Sequence, residues 1–282
     1  LHDRKGGAIL KPMQVEIEPT TADQVADLRF LYARDLDDII LYEREIRRGQ
    51  TRIYGIWTHG ALVGYGILHG EGEDRSKVVE FFLLPQYRRH TVAVFDHFTR
   101  ATGASGVLAR TNDTELVLLL HERTCDLVPS HYCFRDAERT HHPVSGVTCR
   151  RITPDDLDLL APIMTTSQGW PFELPDREAL AAWIALNAGR VLEDEEGIVG
   201  IGAILEGYNP PFANIGMVVM KRARRCGYAT CLIEELKRDT YELGKIPRAD
   251  CAHWNTASRS TLLRAGFLVH ARTVQGTFAS PA

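Results

Sequence analysis

The sequence predicts a mixed α/β fold in two similar domains, each a mostly antiparallel sheet flanked by helices. Three observations lead there. Apolar, strand-like runs alternate with amphipathic helical segments along the whole chain. The length, 282 residues, suits two ordinary domains. A stretch of the first half also returns in the second. Leu83-Leu84-Pro85-Gln86-Tyr87-Arg88-Arg89-His90-Thr91 matches Val219-Met220-Lys221-Arg222-Ala223-Arg224-Arg225-Cys226-Gly227 position by position. Asn112 and Asn255 each follow the next strand, although the second copy is somewhat longer between loop and Asn. His141-His142-Pro143 breaks the pattern, so the domains are expected at 12–140 and 146–282.

The elements follow from period and punctuation. In the first half, strands are expected near 14–17, at 52–57, 61–69 and 77–84, and near 107–110. Helices are expected over 21–33, 36–46, from the loop 85–90 to about 102, and over 114–122. In the second half a short strand at 146–151 precedes Thr153-Pro154-Asp155-Asp156, a helix start with Thr as N-cap and Pro at the first helical position. That helix runs to Met164, and another covers 175–187. Strands at 190–194 and 198–205 flank the turn Glu195-Glu196-Gly197. An apolar strand at 214–220 enters the basic loop 221–225, then a helix at 227–243 capped by Gly244. A strand at 249–254, a helix from Asn255 to Gly266 and a strand at 267–273 close the pattern.

Composition excludes several classes. The chain is 44% hydrophobic and 25% charged, which argues against intrinsic disorder. A net charge of −4 does not fit a general nucleic-acid or membrane-surface binder. No apolar run approaches the roughly 18 residues of a membrane span, and residues 1–11 lack an apolar signal core. Six scattered cysteines form no C-x-x-C pair and read as free thiols of a reducing cytosol, so a cytoplasmic protein is expected. The spacing of His121, Cys125, His131 and Cys133 matches no common zinc pattern, and no metal is expected. Neither a G-x-S-x-G elbow nor a Walker loop occurs, which leaves little case for a hydrolase or an NTPase.

The sharpest chemical signal is the loop that joins an apolar strand to an amphipathic helix at residues 217–230. The first N–H groups of a helix are unsatisfied and its dipole is positive there, so such a place binds phosphate. Gly227 lets the backbone approach a ligand closely, Ala229 keeps the next turn small, and Arg224 and Arg225 add positive charge. Alone, a basic glycine loop reads as well as a helix start with solvated arginines.

The surrounding order adds to this. Arg224, Gly227 and Ala229, with Val219 five residues before Arg224, resemble the acyl-CoA signature R/Q-x-x-G-x-G/A of the GNAT superfamily of N-acetyltransferases. Asn255 and Ser258, followed by Gly266-Phe267, resemble the family's second signature. The resemblance covers residues 146–275. It implies a sheet in which two parallel strands splay at a bulge, with pantetheine lying between them like an extra strand. It implies main-chain contacts from Met217 and Val219, with Val218 between them. The amides of Arg225, Cys226, Gly227, Tyr228, Ala229 and Thr230 would hold the pyrophosphate. Asn255 and Ser258 would line the pantetheine end.

The implied reaction is direct attack of a neutral amine on the thioester of acetyl-CoA. It needs a base, a polarised carbonyl and a proton for the thiolate. The family's usual acid, a Tyr seven residues after the Asn, is Leu262 here, so water, Ser258 or another hydroxyl is left for that role, or the thiolate leaves unassisted. Candidate bases are Glu206, His253 and, behind them, Glu193. Each has a plain reading too: Glu206 as a solvated loop acid, His253 as a strand-edge packing residue. Tyr208 and Trp254 are candidates for the wall of the acceptor pocket, or for packing. In the first copy Thr91 stands where the glycine should be, and its β-branched side chain obstructs a pyrophosphate. The first domain is therefore expected to be a degenerate copy.

The expected function is transfer of an acetyl group from CoA to a primary amine of a small molecule, by a monomer or homodimer without nucleic-acid or membrane partners. The alternatives are another nucleophile or a longer acyl chain on the same fold, and a CoA-binding or interaction protein without catalysis.

Overall fold

The computed structural model describes residues 14–36, 42–70, 76–166, 177–185, 189–205 and 210–279. The chain forms two compact units, Leu1–Val128 with Val274–Ala282, and Pro129–Thr273. Both cuts differ from the expected boundary at 140–146. A strand that the sequence reading left out explains the first: residues 131–135 of Val128–Asp136 pair antiparallel with residues 248–252, which lie deep in the second half.

In the first unit, strands β1 (Glu16–Pro19), β2 (Thr51–Thr58), β3 (Ala61–His69) and β4 (Lys77–Leu83) form an antiparallel meander, and β5 (Gly106–Arg110) joins β4 in parallel. The helices are α1 (Ala26–Asp35), α2 (Glu43–Arg47), α3 (Thr91–Thr102) and α4 (Thr114–Arg123). Phe81, Phe95, Phe98, Leu116 and Leu120 fill the core beneath α3 and α4. The opposite core joins Leu28 and Tyr32 of α1 to Tyr65, Val79 and Phe82. Residues 37–41 of the expected second helix lie outside the described residues.

The second unit contains β6 (Val128–Asp136, from Pro129 on), β7 (Thr148–Arg151), β8 (Gly189–Asp194), β9 (Gly197–Leu205), β10 (Phe212–Val219), β11 (Ile246–Ala252) and β12 (Phe267–Thr277, to Thr273). Their order across the sheet is β12-β6-β11-β10-β9-β8-β7. Only the neighbours β10 and β11 are parallel among the pairings described. The helices are α5 (Leu157–Thr166), α6 (Arg177–Ala185), α7 (Tyr228–Glu242) and α8 (Thr256–Arg264). Thr153 is the N-cap the sequence predicts, and it forms a reciprocal capping box with Asp156, although a 3₁₀ turn at Pro154–Asp156 precedes α5.

Helix α7 sets the geometry of the site. It buries Leu232, Ile233 and Leu236, each worth roughly 1.5–3 kcal/mol, on the sheet. Gly202 of β9 makes this close approach feasible, since a Cβ there would lie 2.7 Å from Leu236 Cδ1. Two buried polar ties fix the helix. Arg190 of β8 donates to both carboxylate oxygens of Asp239, at 2.5 and 2.8 Å. Lys237 pairs with Asp136 at 2.5 Å and donates to the carbonyls of Glu138 and Ala265, both at 2.6 Å. A charge this deep is tolerated only when it is paired and fully hydrogen-bonded.

Candidate active site

The parallel pair β10–β11 opens into a wedge. Pairing runs through Phe212↔Ile246, Ala213↔Pro247 and Asn214↔Arg248 and stops there. β10 continues beside β9 to Val219↔Gly200, and β11 continues beside β6 to Ala252↔His131. Residues 215–219 and 249–252 therefore face each other as two strand edges not bonded to one another. The expected bulge is not part of this: the β10–β9 register runs from Asn214 to Val219 without a shift. Met217 packs at the edge of the α7–α8 core, Val218 against the α5–α6 core, and Val219 is buried with Ala223 and Leu192.

The wedge leads to the loop before α7. Arg224 Nε donates to the Val219 carbonyl at 3.1 Å, which folds the loop back on the strand end. Arg225 (φ 70°) and Gly227 (φ 84°) both adopt the left-handed conformation. Such turns gather backbone N–H groups into an anion-binding concavity. Gly227 is the N-cap of α7, and no side chain caps it. Cys226 is exposed, Tyr228 and Ala229 pack on the Val219 cluster, and Thr230 is buried with its N–H donating to the Gly227 carbonyl at 3.0 Å.

Asn255 caps α8, accepting from the Ser258 N–H at 3.1 Å. Ser258 lies close to the thiol of Cys251 on β11, and burial pushes that thiol up to about 11. Ser258 and Asn255 thus stand beside β11. Leu262 is core, 2% exposed.

The candidate bases divide. His253 is exposed just past the end of β11, its N–H donating to the Ser130 carbonyl at 2.8 Å. Glu193 is taken up in an ion pair with Arg150 at 2.7 Å. Glu206 and Tyr208 lie outside the described residues. Trp254 is 73% exposed, so packing does not account for it.

Two residues escaped the sequence reading. Tyr132 of β6, opposite Cys251, accepts a hydrogen bond from Arg259 of α8 at 3.1 Å, which brings a phenol to the helix whose usual tyrosine is missing. Asp250 is exposed in a central strand whose neighbours Ala249 and Cys251 are buried. Its signal was a lone acid inside an apolar run.

The first unit repeats the scaffold with a different filling. Pairing of β4 with β5 stops after Val78↔Val107, and Arg88 Nε donates to the Leu83 carbonyl at 3.2 Å, as Arg224 does to Val219. The start of α3 holds its own anion, however. Thr91 donates to Glu115 at 2.6 Å, and Arg88 lies 3.8 Å from the same carboxylate. Asp113, which caps α4 through the Leu116 N–H, is the true counterpart of Asn255; Asn112 is one residue out of frame.

Among the described residues no helix is long and apolar enough to cross a membrane, and no three His, Cys, Asp or Glu side chains gather as a metal site would require.

Comparison with known proteins finds the same fold. Residues 147–268 match the family model of the acetyltransferase (GNAT) domain. A GNAT-family acetyltransferase from Colwellia psychrerythraea superposes with a TM-score of 0.80 at 14% identity, over 94% of this chain and 100% of its own. A tandem GNAT protein of the clavulanic acid biosynthesis pathway superposes with a TM-score of 0.65 at 16% identity, over 95% and 100%. A GCN5-related N-acetyltransferase from Sphaerobacter thermophilus gives 0.64 at 16% identity, over 93% and 94%. No curated protein matches by sequence. The chain thus has the fold of these three structures over nearly its whole length, and its residues 147–268 match the GNAT acetyltransferase domain.

Proposed function

We propose that the second unit binds an acyl-CoA, in the first place acetyl-CoA, and passes the acyl group to a primary amine of a small molecule. The observation that carries this reading is the wedge between β10 and β11, which ends at a helix N-terminus that no side chain caps. A pantetheine arm is extended and carries amides, so it suits two strand edges whose N–H and C=O groups want partners. The main chain of Met217 to Val219 would bind it. The amides from Arg225 to Ala229, with the Arg224 and Arg225 charges, would take the pyrophosphate, whereas the expected Thr230 amide is already bonded to the Gly227 carbonyl. Asn255 and Ser258 would flank the pantetheine end.

The chemistry is acyl transfer by direct attack. The neutral amine forms the C–N bond at the thioester carbonyl, the C–S bond breaks, and the thiolate takes a proton from water or from a hydroxyl beside β11, Ser258 or Tyr132. His253 stands at the rim, where it could relay the amine's proton to solvent. The first unit reads as a degenerate copy, because Glu115 places a carboxylate where a pyrophosphate would have to sit.

The test is release of CoA from acetyl-CoA by the purified protein, read by chromatography, with panels of primary amines, alcohols and thiols. Release that depends on the amine supports the reading. Release that depends only on alcohols or thiols favours another nucleophile. Tight binding without turnover favours a non-catalytic CoA-binding protein.

A further inference from the structure

We propose that Asp250 binds the acceptor's ammonium group and takes its proton, an inference that rests on reading the second unit as an amine acyltransferase. The argument begins with register. The last bonded pair of β10 and β11 is Asn214↔Arg248, and the same register continued into the wedge sets Gly216 opposite Asp250. Asp250 therefore lies just inside the open wedge. The residue facing it has no side chain, which leaves room for a ligand.

The carboxylate is also positioned. Asn214, the last bonded residue of β10, donates from Nδ2 to Asp250 Oδ2 at 3.1 Å. This bond spans the apex of the wedge and holds an exposed acid in place in the middle of a sheet. An amide partner fixes orientation without neutralising the charge, so the carboxylate keeps its attraction for a cation.

The first unit supplies the contrast. The alignment that matches Leu83 with Val219 also matches Glu80 with Gly216, so each copy carries a carboxylate at this level of its wedge. There the acid is closed off: Glu80 is 1% exposed, forked by Arg29 at 3.0 and 3.1 Å and hydrogen-bonded by Tyr65 at 2.9 Å. In the second unit the acid has moved to the other arm, and among the described residues Asp250 makes no ion pair, so a cationic substrate can serve as its counter-ion.

The step balances. The ammonium R–NH₃⁺ passes one proton to the Asp250 carboxylate, and the freed lone pair forms the C–N bond as the C–S bond breaks. The nitrogen's second proton ends on the thiolate sulfur, and Asp250 returns its proton to water. The acceptor class is a cationic alkylamine.

The experiment compares wild type, Asp250→Asn and Asp250→Glu in two assays: calorimetric titration with acetyl-CoA, and thiol release with tyramine, putrescine and glucosamine. Asp250→Asn should keep wild-type acetyl-CoA affinity and lose on the order of 100-fold in kcat/KM, the scale of a removed general base. Asp250→Glu should recover most of that loss. Should Asp250→Asn also lose CoA affinity, recovery of turnover by the glutamate variant decides for the proposal and its failure against it. Unchanged turnover in Asp250→Asn overturns the role of Asp250 alone. Wild-type binding of acetyl-CoA with no turnover of any of the three amines overturns the cationic acceptor. No binding by wild type overturns the acyltransferase reading and this inference with it.

Discussion

Replacing Gly227 by alanine, with Gly244→Ala as a matched control, separates what the pyrophosphate loop needs from what any left-handed turn needs. Gly227 has φ 84° and Gly244 φ 70°, one at each end of α7. An L residue held in that conformation costs roughly 1–2 kcal/mol. Neither site is crowded: a Cβ at Gly227 would meet Val144 Cγ1 at 3.4 Å, and one at Gly244 would meet nothing within 4 Å. Both variants should therefore lose similar stability, about 2–4 °C of Tm per kcal/mol for a unit of this size. Only at Gly227 does the strain fall on amides meant for an anion. If the loop relaxes, at least one charge-assisted hydrogen bond is lost, worth about 1.5–3 kcal/mol, or roughly 10- to 100-fold in acetyl-CoA affinity. Thermal melts and calorimetric titration read the two quantities separately. Equal acetyl-CoA affinity in the two variants would refute the assignment of this loop.

Three other expectations follow from the same contacts. Asp239→Asn strips a buried partner from Arg190 and should cost about 3–5 kcal/mol in urea unfolding at pH 7; a cost below about 1 kcal/mol would mean that Glu235, 3.1 Å from Arg190, suffices alone. Arg150 holds Asp156 down at about 2, so this stabilisation is complete above the unfolded carboxylate range and is lost as pH falls from about 4 to about 2. The gap in stability between wild type and Arg150→Met, roughly 1–2 kcal/mol with a partly exposed guanidinium, should close over that window; a constant gap contradicts the pairing. Thr91→Glu should leave acetyl-CoA affinity and stoichiometry as in wild type, and a loss of binding would place a cofactor in the first unit.

Much of the second unit was legible in the sequence because its elements announce themselves locally. Apolar runs marked β9 and β10, and the Arg224, Gly227 and Asn255 spacings placed the loop and the cap. What stayed hidden was non-local. In β6 only Tyr132 and Phe134 alternate with His131, Cys133 and Arg135, behind a Pro129, so the period-2 signal is short and weakened, and its partner strand β11 lies far along the chain. Missing β6 displaced the domain boundary. It also kept Tyr132 out of view, since a phenol becomes relevant to α8 only once β6 lies beside β11. The frame of the repeat slipped by one at Asn112 because residue identity was matched, whereas the cap hydrogen bond selects Asp113. Nothing local sets Asp250 apart from a solvent-facing acid on a strand. Its meaning depends on the point where pairing of β10 with β11 ends, which is a property of two chain segments together.

The central claim is that the chain holds one acyl-CoA site, in the second unit at the loop before α7. Calorimetric titration of wild type and Gly227→Glu with acetyl-CoA tests it most directly. The account predicts one acetyl-CoA per wild-type chain and none measurable in the variant, where a carboxylate would oppose the pyrophosphate. Two per chain, or undiminished binding by Gly227→Glu, would contradict it.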